Sequence, residues 1–236
     1  MKNNQKVLII IPAYNEAKNI EKTVQTLTST NPNVDYIIIN DGSTDNTFDI
    51  CRKNKFNVLN LPINMGIGCA VQTGYKYALN NGYDVAIQYD GDGQHNPIYI
   101  EKLLKTLNEG YDMVIGSRFI DKKGFQSSFM RRICIKWISF VIKILIRKKS
   151  SDPTSGFRAC NRNLIEFFAN NYPSDYPEPE TFVSSSLHGF KIIDVPVIMK
   201  ERENGKSSIS FFKSIYYMIK VTLALFFCLL AYKGER

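Results

Sequence analysis

The sequence predicts an α/β protein with a doubly wound, parallel sheet. Short apolar runs recur along the first half of the chain, polar turns follow them, and helix-length stretches separate them. The runs are apolar at every position, which is typical of parallel strands covered on both faces. With 236 residues and 44% apolar content, the chain can bury one substantial core, so we expect a single α/β domain.

The first half of the chain supplies the strands. Each is a short run that ends at a turn: Val7–Ile11, Tyr36–Ile39, Val58–Leu61, Val85–Ile87 and Met113–Ile115. Pro12 is expected to end the first strand, and helices should begin at about Glu16 and Gly68. Functional loops should follow the strands, because open α/β sheets bind ligands at the carboxyl ends of their strands.

The second half is more basic. Residues 129–149 form a helix-length run without an acidic residue, in which Lys136, Lys143 and Arg147 fall on one face. The opposite face carries Ile135, Ile138, Ile142 and Ile146. This pattern is typical of a helix at a membrane interface, and an ordinary surface helix packed on the sheet is the alternative.

Residues 209–232 are apolar apart from Lys213 and Lys220. The uncharged part, residues 221–232, is shorter than the roughly 20 residues that span a bilayer, so we expect it to lie in or on the membrane. An oligomer interface is the alternative, because an apolar surface of this size is hard to hide on a soluble monomer. Its phenylalanines are Phe211, Phe212, Phe226 and Phe227.

Charge and cysteine content narrow the partners and the compartment. The net charge of +8 predicts an anionic partner. The basic residues alternate with long aliphatic ones, which favours a membrane surface over nucleic acid. The five cysteines are scattered and never spaced as metal ligands, so we expect reduced thiols in a cytosolic protein. The first apolar run is too short for a signal peptide, which places the active face in the cytoplasm.

The turn after the fourth apolar run carries the clearest chemical signal. Asp90-Gly91-Asp92 places two carboxylates one residue apart at a strand end, where they could share a divalent cation. The pattern predicts a site for a metal and a diphosphate. A plain strand-to-helix turn would contain the same residue types and is the alternative.

Five motifs occur in a fixed order: 12–16 (PAYNE), 41–45 (DGSTD), 64–68 (NMGIG), 90–92 (DGD) and 152–158 (DPTSGFR). This ordered set resembles family 2 glycosyltransferases of the GT-A fold, and among them the dolichyl- or polyprenyl-phosphate sugar transferases. The resemblance covers roughly residues 6–208. It implies a Rossmann-like nucleotide-diphospho-sugar transferase domain over 1–208, with an amphipathic basic helix at 129–149. Residues 209–236 would then form a membrane-associating or oligomerising helix.

The resemblance also implies roles for the residues at the strand ends. Asp90 would contact the nucleotide sugar and the metal, Asp92 would coordinate Mg²⁺ or Mn²⁺, and Gln94 would complete the shell. Asp41 would bind the base or ribose, although Asp41 and Glu16 would also suit plain helix starts. The full set expected around the nucleotide is Pro12, Tyr14, Glu16, Asp41, Gly66, Gly68, Asp90 and Gly91.

Three arginines are candidates for phosphate binding. Arg118 follows a strand and Arg158 is expected in a turn, where a guanidinium can grip phosphate oxygens in bidentate fashion. Surface salt bridging is the alternative for both. Arg202 starts a segment similar to the closing loop of the family, but the order of Lys206 and the following serines departs from the usual one, which leaves the role of Lys206 open.

The Tyr176–Glu180 segment is expected to be a proline-stiffened loop at the acceptor end of the site. If the acceptor is a hydroxyl, Glu180 is the first choice as general base and Glu178 the second. If the acceptor is a lipid phosphate, no base is needed and Glu180 would hold a sugar hydroxyl. A solvated loop with incidental charge is the alternative. We expect His95 and His188 to be structural.

Together these observations predict an inverting, metal-dependent glycosyltransferase on the cytoplasmic membrane face, peripheral or monotopic. It would move a sugar from a nucleoside diphosphate to a lipid-linked acceptor, most simply polyprenyl phosphate. Extension of a lipid-linked polysaccharide at a hydroxyl is the main alternative. A sugar-nucleotide pyrophosphorylase and a non-catalytic membrane adaptor are remoter ones. No nucleic-acid partner is expected, and self-association through the apolar tail is open.

Overall fold

The structure of the protein is a computed structural model, and it describes residues 5–201 and 211–234. Its centre is a seven-stranded sheet with strand order β3-β2-β1-β4-β6-β5-β7. All neighbouring strands are parallel except β6, which runs antiparallel to β4 and β5. The strands are β1 (Val7–Ala13), β2 (Asp35–Asn40), β3 (Val58–Asn60), β4 (Val85–Gln88), β5 (Met113–Ser117), β6 (Arg158–Asn161) and β7 (Ile192–Pro196).

Helices cover both faces of the sheet, as predicted for a doubly wound fold. Alternate residues of β1 enter two separate cores: Ile10 packs on one face, and Ile9 and Ile11 on the other. All three are completely buried. The helices are α1 (Ile20–Thr30), α2 (Thr47–Lys53), α3 (Ile67–Asn80), α4 (Ile100–Leu107), α5 (Phe129–Ile146), α6 (Arg162–Asn170), α7 (Pro177–Leu187) and α8 (Phe211–Gly234).

Some boundaries differ from the sequence predictions. Pro12 lies inside β1 rather than ending it, and there it pairs only with β2, because the pairing with β4 stops at Ile10. The first helix begins at Ile20, four residues after the predicted Glu16. The basic helix ends at Ile146, since Arg147 adopts a left-handed conformation (φ 56°).

Two segments expected to be turns or loops are regular structure. Arg158 is the first residue of β6 and not part of a turn. Residues 177–180 form the first turn of α7. Prolines are tolerated there, because the first N–H groups of a helix have no partner within the helix.

Helix α8 packs against the domain along one side. Val221 and Leu225 are buried in the core shared with α5 and α7, while Phe227 on the other side is 61% exposed. Among the described residues, Ile215–Gly234 is a 20-residue stretch of mean hydropathy 1.9, long and apolar enough to cross a membrane. This stretch is longer than the uncharged segment considered in the sequence because it includes Lys220 and Lys233.

Candidate active site

The loops after β1 and β2 are tied together by side chains. The Asn15 side-chain oxygen accepts a hydrogen bond from the Thr44 backbone N–H (2.8 Å), and the Asn15 backbone N–H donates to the Ser43 hydroxyl (2.9 Å). Asn15 has a left-handed backbone (φ 56°), a conformation that asparagine tolerates well. These contacts fix the entrance of a cleft at the carboxyl ends of the strands.

This cleft has a volume of about 280 Å³ and is called here the nucleotide cleft. Most of the residues predicted to hold a nucleotide lie in its wall. Glu16 is buried there and accepts a hydrogen bond from the Asn19 side chain (2.7 Å), whereas Tyr14 is 46% exposed at the rim. The predicted residues that line the cleft are Pro12, Tyr14, Glu16, Asp41, Gly66, Asp90, Gly91 and Asp92.

Asp41 shapes one wall of the cleft. Its carboxylate accepts hydrogen bonds from the backbone N–H groups of Met65 (2.8 Å) and Gly66 (2.9 Å). Gly66 has φ 89° and ψ 159°, a region that is essentially restricted to glycine. Asp41 thus holds the turn that starts α3, and it retains lone pairs for a ligand because each carboxylate oxygen can accept twice.

Gly68 lies elsewhere. A Cβ at this position would meet the backbone oxygens of Pro173 (2.1 Å) and Ser174 (2.3 Å), so the absence of a side chain lets α3 pack against the 173–174 segment. Gly68 was expected to bring its backbone close to a ligand, but it brings α3 close to the backbone of residues 173–174.

The acidic loop after β4 is anchored from several directions. The Gln94 backbone N–H donates to the Asp92 carboxylate (3.0 Å), and the Gln94 side chain donates to the Lys200 carbonyl (3.3 Å). Gly91 fits closely behind Asp90, since a Cβ there would lie 3.1 Å from the Pro12 carbonyl oxygen. The loop therefore presents Asp90 and Asp92 on a fixed backbone.

The 152–158 motif comes close to Asp90. A Cβ on Gly156 would lie 3.0 and 3.1 Å from the two carboxylate oxygens of Asp90, so glycine at this position lets the carboxylate lie close to the backbone of the motif. Arg158 is 2% exposed and donates to the carbonyls of Pro153 and Ser155 and to the Thr181 hydroxyl. These contacts tie the motif to α7, and the phosphate-binding role of Arg158 stays a prediction.

Arg118 is also held within the protein. Its guanidinium makes a bidentate pair with Asp152 (2.6 and 2.7 Å) and donates to the Thr154 hydroxyl (3.1 Å). Both Arg118 and Asp152 are buried. Arg118 therefore fixes the loop that contains Thr154, and its described contacts are to protein groups.

A second, larger cavity of about 680 Å³ lies on the other side of Asp90 and is called here the acceptor cavity. Helices α5, α7 and α8 contribute to its wall. Asp90 belongs to the walls of both cavities. The other lining residues are Arg131, Cys134, Ile135, Thr154, Gly156, Tyr176, Glu178, Tyr216 and Tyr217.

Arg131 supplies the positive charge of the acceptor cavity. Within the described part of the chain, no hydrogen bond or ion pair engages its guanidinium. Burial, together with the nearby charge of Arg118, lowers the pKa of Arg131. Arginine remains protonated even so, and an anion in the cavity would therefore be stabilised.

The two glutamates of the predicted acceptor loop are placed differently. Glu178 lines the acceptor cavity, and burial raises the pKa of its carboxyl group. Glu180 is not among the residues lining that cavity, and burial followed by the charge of Asp175 raises its pKa. The structure thus brings Glu178, the second choice from the sequence, close to Asp90.

The donor set fits a divalent cation that is shared with a substrate. Among the described residues there is no group of three or more His, Cys, Asp and Glu placed to hold a metal. Two carboxylates and a carboxamide are nevertheless typical for Mg²⁺, which usually takes one or two protein carboxylates together with substrate phosphates and water. Asp90, Asp92 and Gln94 would be these ligands. Arg202 and Lys206 lie outside the described residues.

Sequence reasoning did not single out Arg131, Thr154 or Tyr217 as site residues. Arg131 was identified only as one of several basic residues in a helix. Because Arg132 follows it directly, the sequence does not indicate which of the two arginines faces the protein and which faces solvent. The helix phase could have found it, because Arg131 lies one turn before Ile135, which is buried. Tyr217 could not have been placed without knowing how α8 packs.

Comparison with known proteins identifies the class. The model of the family described as "Glycosyl transferase family 2" matches residues 8–168. An undecaprenyl-phosphate mannosyltransferase of Micrococcus luteus is 30% identical over 215 residues, covering 87% of this chain and 88% of its own. A polyprenol monophosphomannose synthase of Mycolicibacterium smegmatis is 28% identical over 216 residues, covering 87% and 82%.

A solved structure shows the same fold. Glucosyl-3-phosphoglycerate synthase of Mycobacterium tuberculosis, in complex with Mn²⁺, UDP and phosphoglyceric acid, matches with a TM-score of 0.72 and 18% identity. The match covers 97% of this chain and 79% of that one. The sheet is therefore of the GT-A type. The chain belongs to glycosyl transferase family 2 and is a glycosyltransferase, as its motifs predicted.

Proposed function

We propose that this protein is an inverting, metal-dependent transferase that moves a sugar from a nucleoside diphosphate to polyprenyl phosphate. The observation that carries the proposal is the position of Asp90 in the shared wall of the nucleotide cleft and the acceptor cavity. A donor in one and an acceptor in the other would meet at this carboxylate. Attack from the side opposite the leaving group inverts the anomeric carbon in a single displacement.

The nucleotide cleft supports binding of the donor. Asp41 and Glu16 offer carboxylate oxygens to a base and ribose, and Gly66 brings backbone to the edge of the cleft. When bound, a Mg²⁺ or Mn²⁺ ion at Asp90 and Asp92 would neutralise charge on the departing diphosphate. The matched structure that contains Mn²⁺ and UDP is consistent with such an ion, and the oxygen ligands suit either metal.

The acceptor cavity supports binding of a phosphate. Arg131 provides a cation, and the aromatic rings of Tyr176 and Tyr217 give the cavity an apolar wall. A lipid phosphate is an anion at neutral pH, so it can attack without a general base. By their names, one of the two relatives is a mannosyltransferase for undecaprenyl phosphate and the other makes polyprenol monophosphomannose, which supports the same kind of acceptor here.

The outer surface supports attachment to a membrane. Besides its buried isoleucines, α5 carries exposed apolar side chains next to its basic residues: Phe129, Ile133, Trp137, Phe140 and Ile144. The exposed side of α8 continues this surface, and the Trp137 indole donates to the Thr222 hydroxyl (3.1 Å). Apolar residues flanked by lysines and arginines favour an anionic lipid surface. We place this surface on the cytoplasmic face of the membrane.

The decisive test uses Asp92→Asn. We expect this variant to lose measurable sugar transfer from radiolabelled nucleotide sugars to undecaprenyl phosphate, and to keep its flotation with vesicles. Asp49→Asn, an exposed change on α2, is the matched control and should retain full activity. Unaltered turnover in Asp92→Asn would overturn the metal assignment. Screening UDP-, GDP- and dTDP-sugars by thermal stabilisation identifies the donor first.

One observation favours a hydroxyl acceptor as the second candidate. Glu178 faces the acceptor cavity, where a carboxylate could remove a proton from an attacking hydroxyl. Product analysis separates the candidates: sugar 1-phosphodiesters support polyprenyl phosphate, and new linkages between sugars support polysaccharide extension. Membership of the glycosyltransferase family leaves the pyrophosphorylase and adaptor alternatives without support.

A further inference from the structure

A third cavity lies beside α5 and is called here the side cavity. It has a volume of about 570 Å³ and is bounded by the start of α5, the loop that follows β5 and residues 150–151. Among the described residues, Ile135 alone lines both this cavity and the acceptor cavity. Arg131 faces the acceptor cavity, whereas the next residue, Arg132, lines the side cavity.

The lining of the side cavity is basic. Lys122, Arg132 and Lys136 contribute cations, and none of the described lining residues is acidic. Ser150 and Ser151 line the cavity too, and their hydroxyls donate to Asp194 behind them. The serine protons are thus used by Asp194, and the complementarity of the cavity to a phosphate ester comes from its three cations.

The rim of the cavity is apolar and exposed. Phe129 is 68% exposed and Ile133 is 40% exposed, and both line the cavity. They begin the apolar stripe of α5 that continues through Trp137 and Phe140. A ligand in the side cavity would thus have its anionic part among the cations and an apolar part along the surface expected to meet the bilayer.

We propose that the side cavity binds the headgroup of an anionic bilayer phospholipid, whose acyl chains lie over Phe129 and Ile133. The proposal rests on the membrane attachment of the proposed function and adds a discrete lipid site to it. The lipid differs from the acceptor, which would occupy the cavity on the Arg131 side of the same helix. A bound headgroup would hold α5, and with it Arg131, at a fixed height above the bilayer.

The first experiment measures vesicle binding through Trp137, the single tryptophan of the chain. Its fluorescence should shift to shorter wavelength when vesicles of phosphatidylcholine and phosphatidylglycerol are added. The triple variant Lys122→Gln, Arg132→Gln, Lys136→Gln should bind about tenfold or more weakly, because each cation near an anionic surface contributes to affinity. The control Lys53→Gln, Lys76→Gln, Lys105→Gln removes the same charge from exposed positions away from the cavity.

The second experiment separates a site from general attraction. Dihexanoyl phosphatidylglycerol, used below its micelle concentration, should bind the wild type and the control saturably in calorimetry, and dihexanoyl phosphatidylcholine should not. Lys136→Gln alone should weaken this binding measurably, and circular dichroism verifies the folding of every variant. Equal loss in the control triple, or linear uptake without saturation, would overturn the lipid site.

A third experiment tests whether the side cavity binds the acceptor instead of a bilayer phospholipid. If the KM for a short-chain polyprenyl phosphate rises in the side-cavity triple as much as its vesicle affinity falls, the cavity binds the acceptor and the proposal is wrong. The lipid measurements need neither donor nor acceptor. A wild-type protein that transfers no sugar would therefore count against the proposed function and leave the lipid site standing.

Discussion

His95 fixes the backbone of Asp90 and lies close to its carboxylate. Its Nδ1 accepts a hydrogen bond from the Asp90 backbone N–H (3.1 Å), and its Nε2 lies 3.5 Å from the carboxylate of the same residue. The ring is buried and stacks on Phe157 with centroids 4.8 Å apart. Because Nδ1 is the acceptor, the neutral ring carries its proton on Nε2. His95, expected from the sequence to be structural, thus orients a proposed metal ligand.

Replacing His95 should therefore weaken metal binding. We expect His95→Ala to lower the affinity for Mn²⁺ by about 10–100-fold, as is usual for groups that orient metal ligands. His95→Asn should recover part of the loss, since its side-chain oxygen can accept from the Asp90 N–H. Electron paramagnetic resonance of free Mn²⁺ gives the affinity without turnover. His188→Asn is the control, and an unchanged affinity in His95→Ala would contradict the role.

Gly66→Ala should damage nucleotide binding. A side chain in this conformation costs on the order of 1–3 kcal/mol, and the strain would shift the turn held by Asp41. We expect the affinity for the nucleoside diphosphate to fall by about tenfold or more. Gly82→Ala provides the comparison, because Gly82 also has positive φ (72°) but no atom lies near its missing Cβ. Calorimetric titration with the nucleoside diphosphate measures both affinities. An equal loss of affinity in the two variants would refute a specific role of the Gly66 turn.

Glu178→Gln and Glu180→Gln should behave differently in steady-state kinetics. With polyprenyl phosphate as acceptor, we expect Glu178, which lines the cavity beside Asp90, to take the sugar-binding role first assigned to Glu180. Glu178→Gln should then raise the donor KM by about tenfold, through a weakened hydrogen bond to a sugar hydroxyl, and change kcat little. Glu180→Gln should alter neither constant, since Glu180 does not line the acceptor cavity. A fall in kcat of about a hundredfold in Glu178→Gln would instead indicate a general base and favour a hydroxyl acceptor.

Glu180 should make stability depend on pH. Burial, and then the charge of Asp175, raises its pKa in the folded state, so its contribution to stability is present below the unfolded pKa of about 4.3 and is lost as the pH rises through the folded value. Glu180→Gln should thus have a higher Tm than wild type at neutral pH and no advantage in acid. Exposed Glu109→Gln serves as the control. A constant Tm difference across the pH series would contradict the prediction.

Arg118→Met should destabilise the fold strongly. Removing the guanidinium leaves Asp152 buried without its partner, a change that typically costs about 3–5 kcal/mol. Urea denaturation measures the loss. The exposed pair of Lys220 and Asp175 (2.7 Å) offers a matched contrast, and Lys220→Gln should have little effect because water and salt screen it. Similar midpoints for the two variants would show that the buried pair is not structural.

The sequence was sufficient for the elements whose pattern is local. Fully apolar runs such as Val7–Ile11 and Met113–Ile115 were found because burial on both faces leaves no polar position. Strand β6 was missed because its four residues include an arginine and an asparagine. Strand β7 was missed for the same reason, because Asp194 interrupts its apolar run. Both strands form by pairing with segments that are distant in the sequence, and a local sequence pattern does not reveal such pairing.

Site residues followed the same division. Asp41, Asp90 and Asp92 were predicted as a group because each follows a strand and such ends converge at one edge of a parallel sheet. The burial of Arg118 and Arg158 was not predicted, because their partners Asp152 and Thr181 are 34 and 23 residues away. Charge alone does not tell whether an arginine faces a ligand or another part of its own chain.

The antiparallel strand β6 bears on how the enzyme is made. It inserts between β4 and β5, although it is synthesised after both. Gly156, which borders Asp90, lies two residues before this strand, so the pairing of β6 with β4 positions it. The reaction centre therefore depends on a contact between segments far apart in the chain, and non-local contacts of this kind slow folding. A chain synthesised only as far as Asp92 would contain all the described residues that line the nucleotide cleft, but of those that line the acceptor cavity it would contain only Asp90.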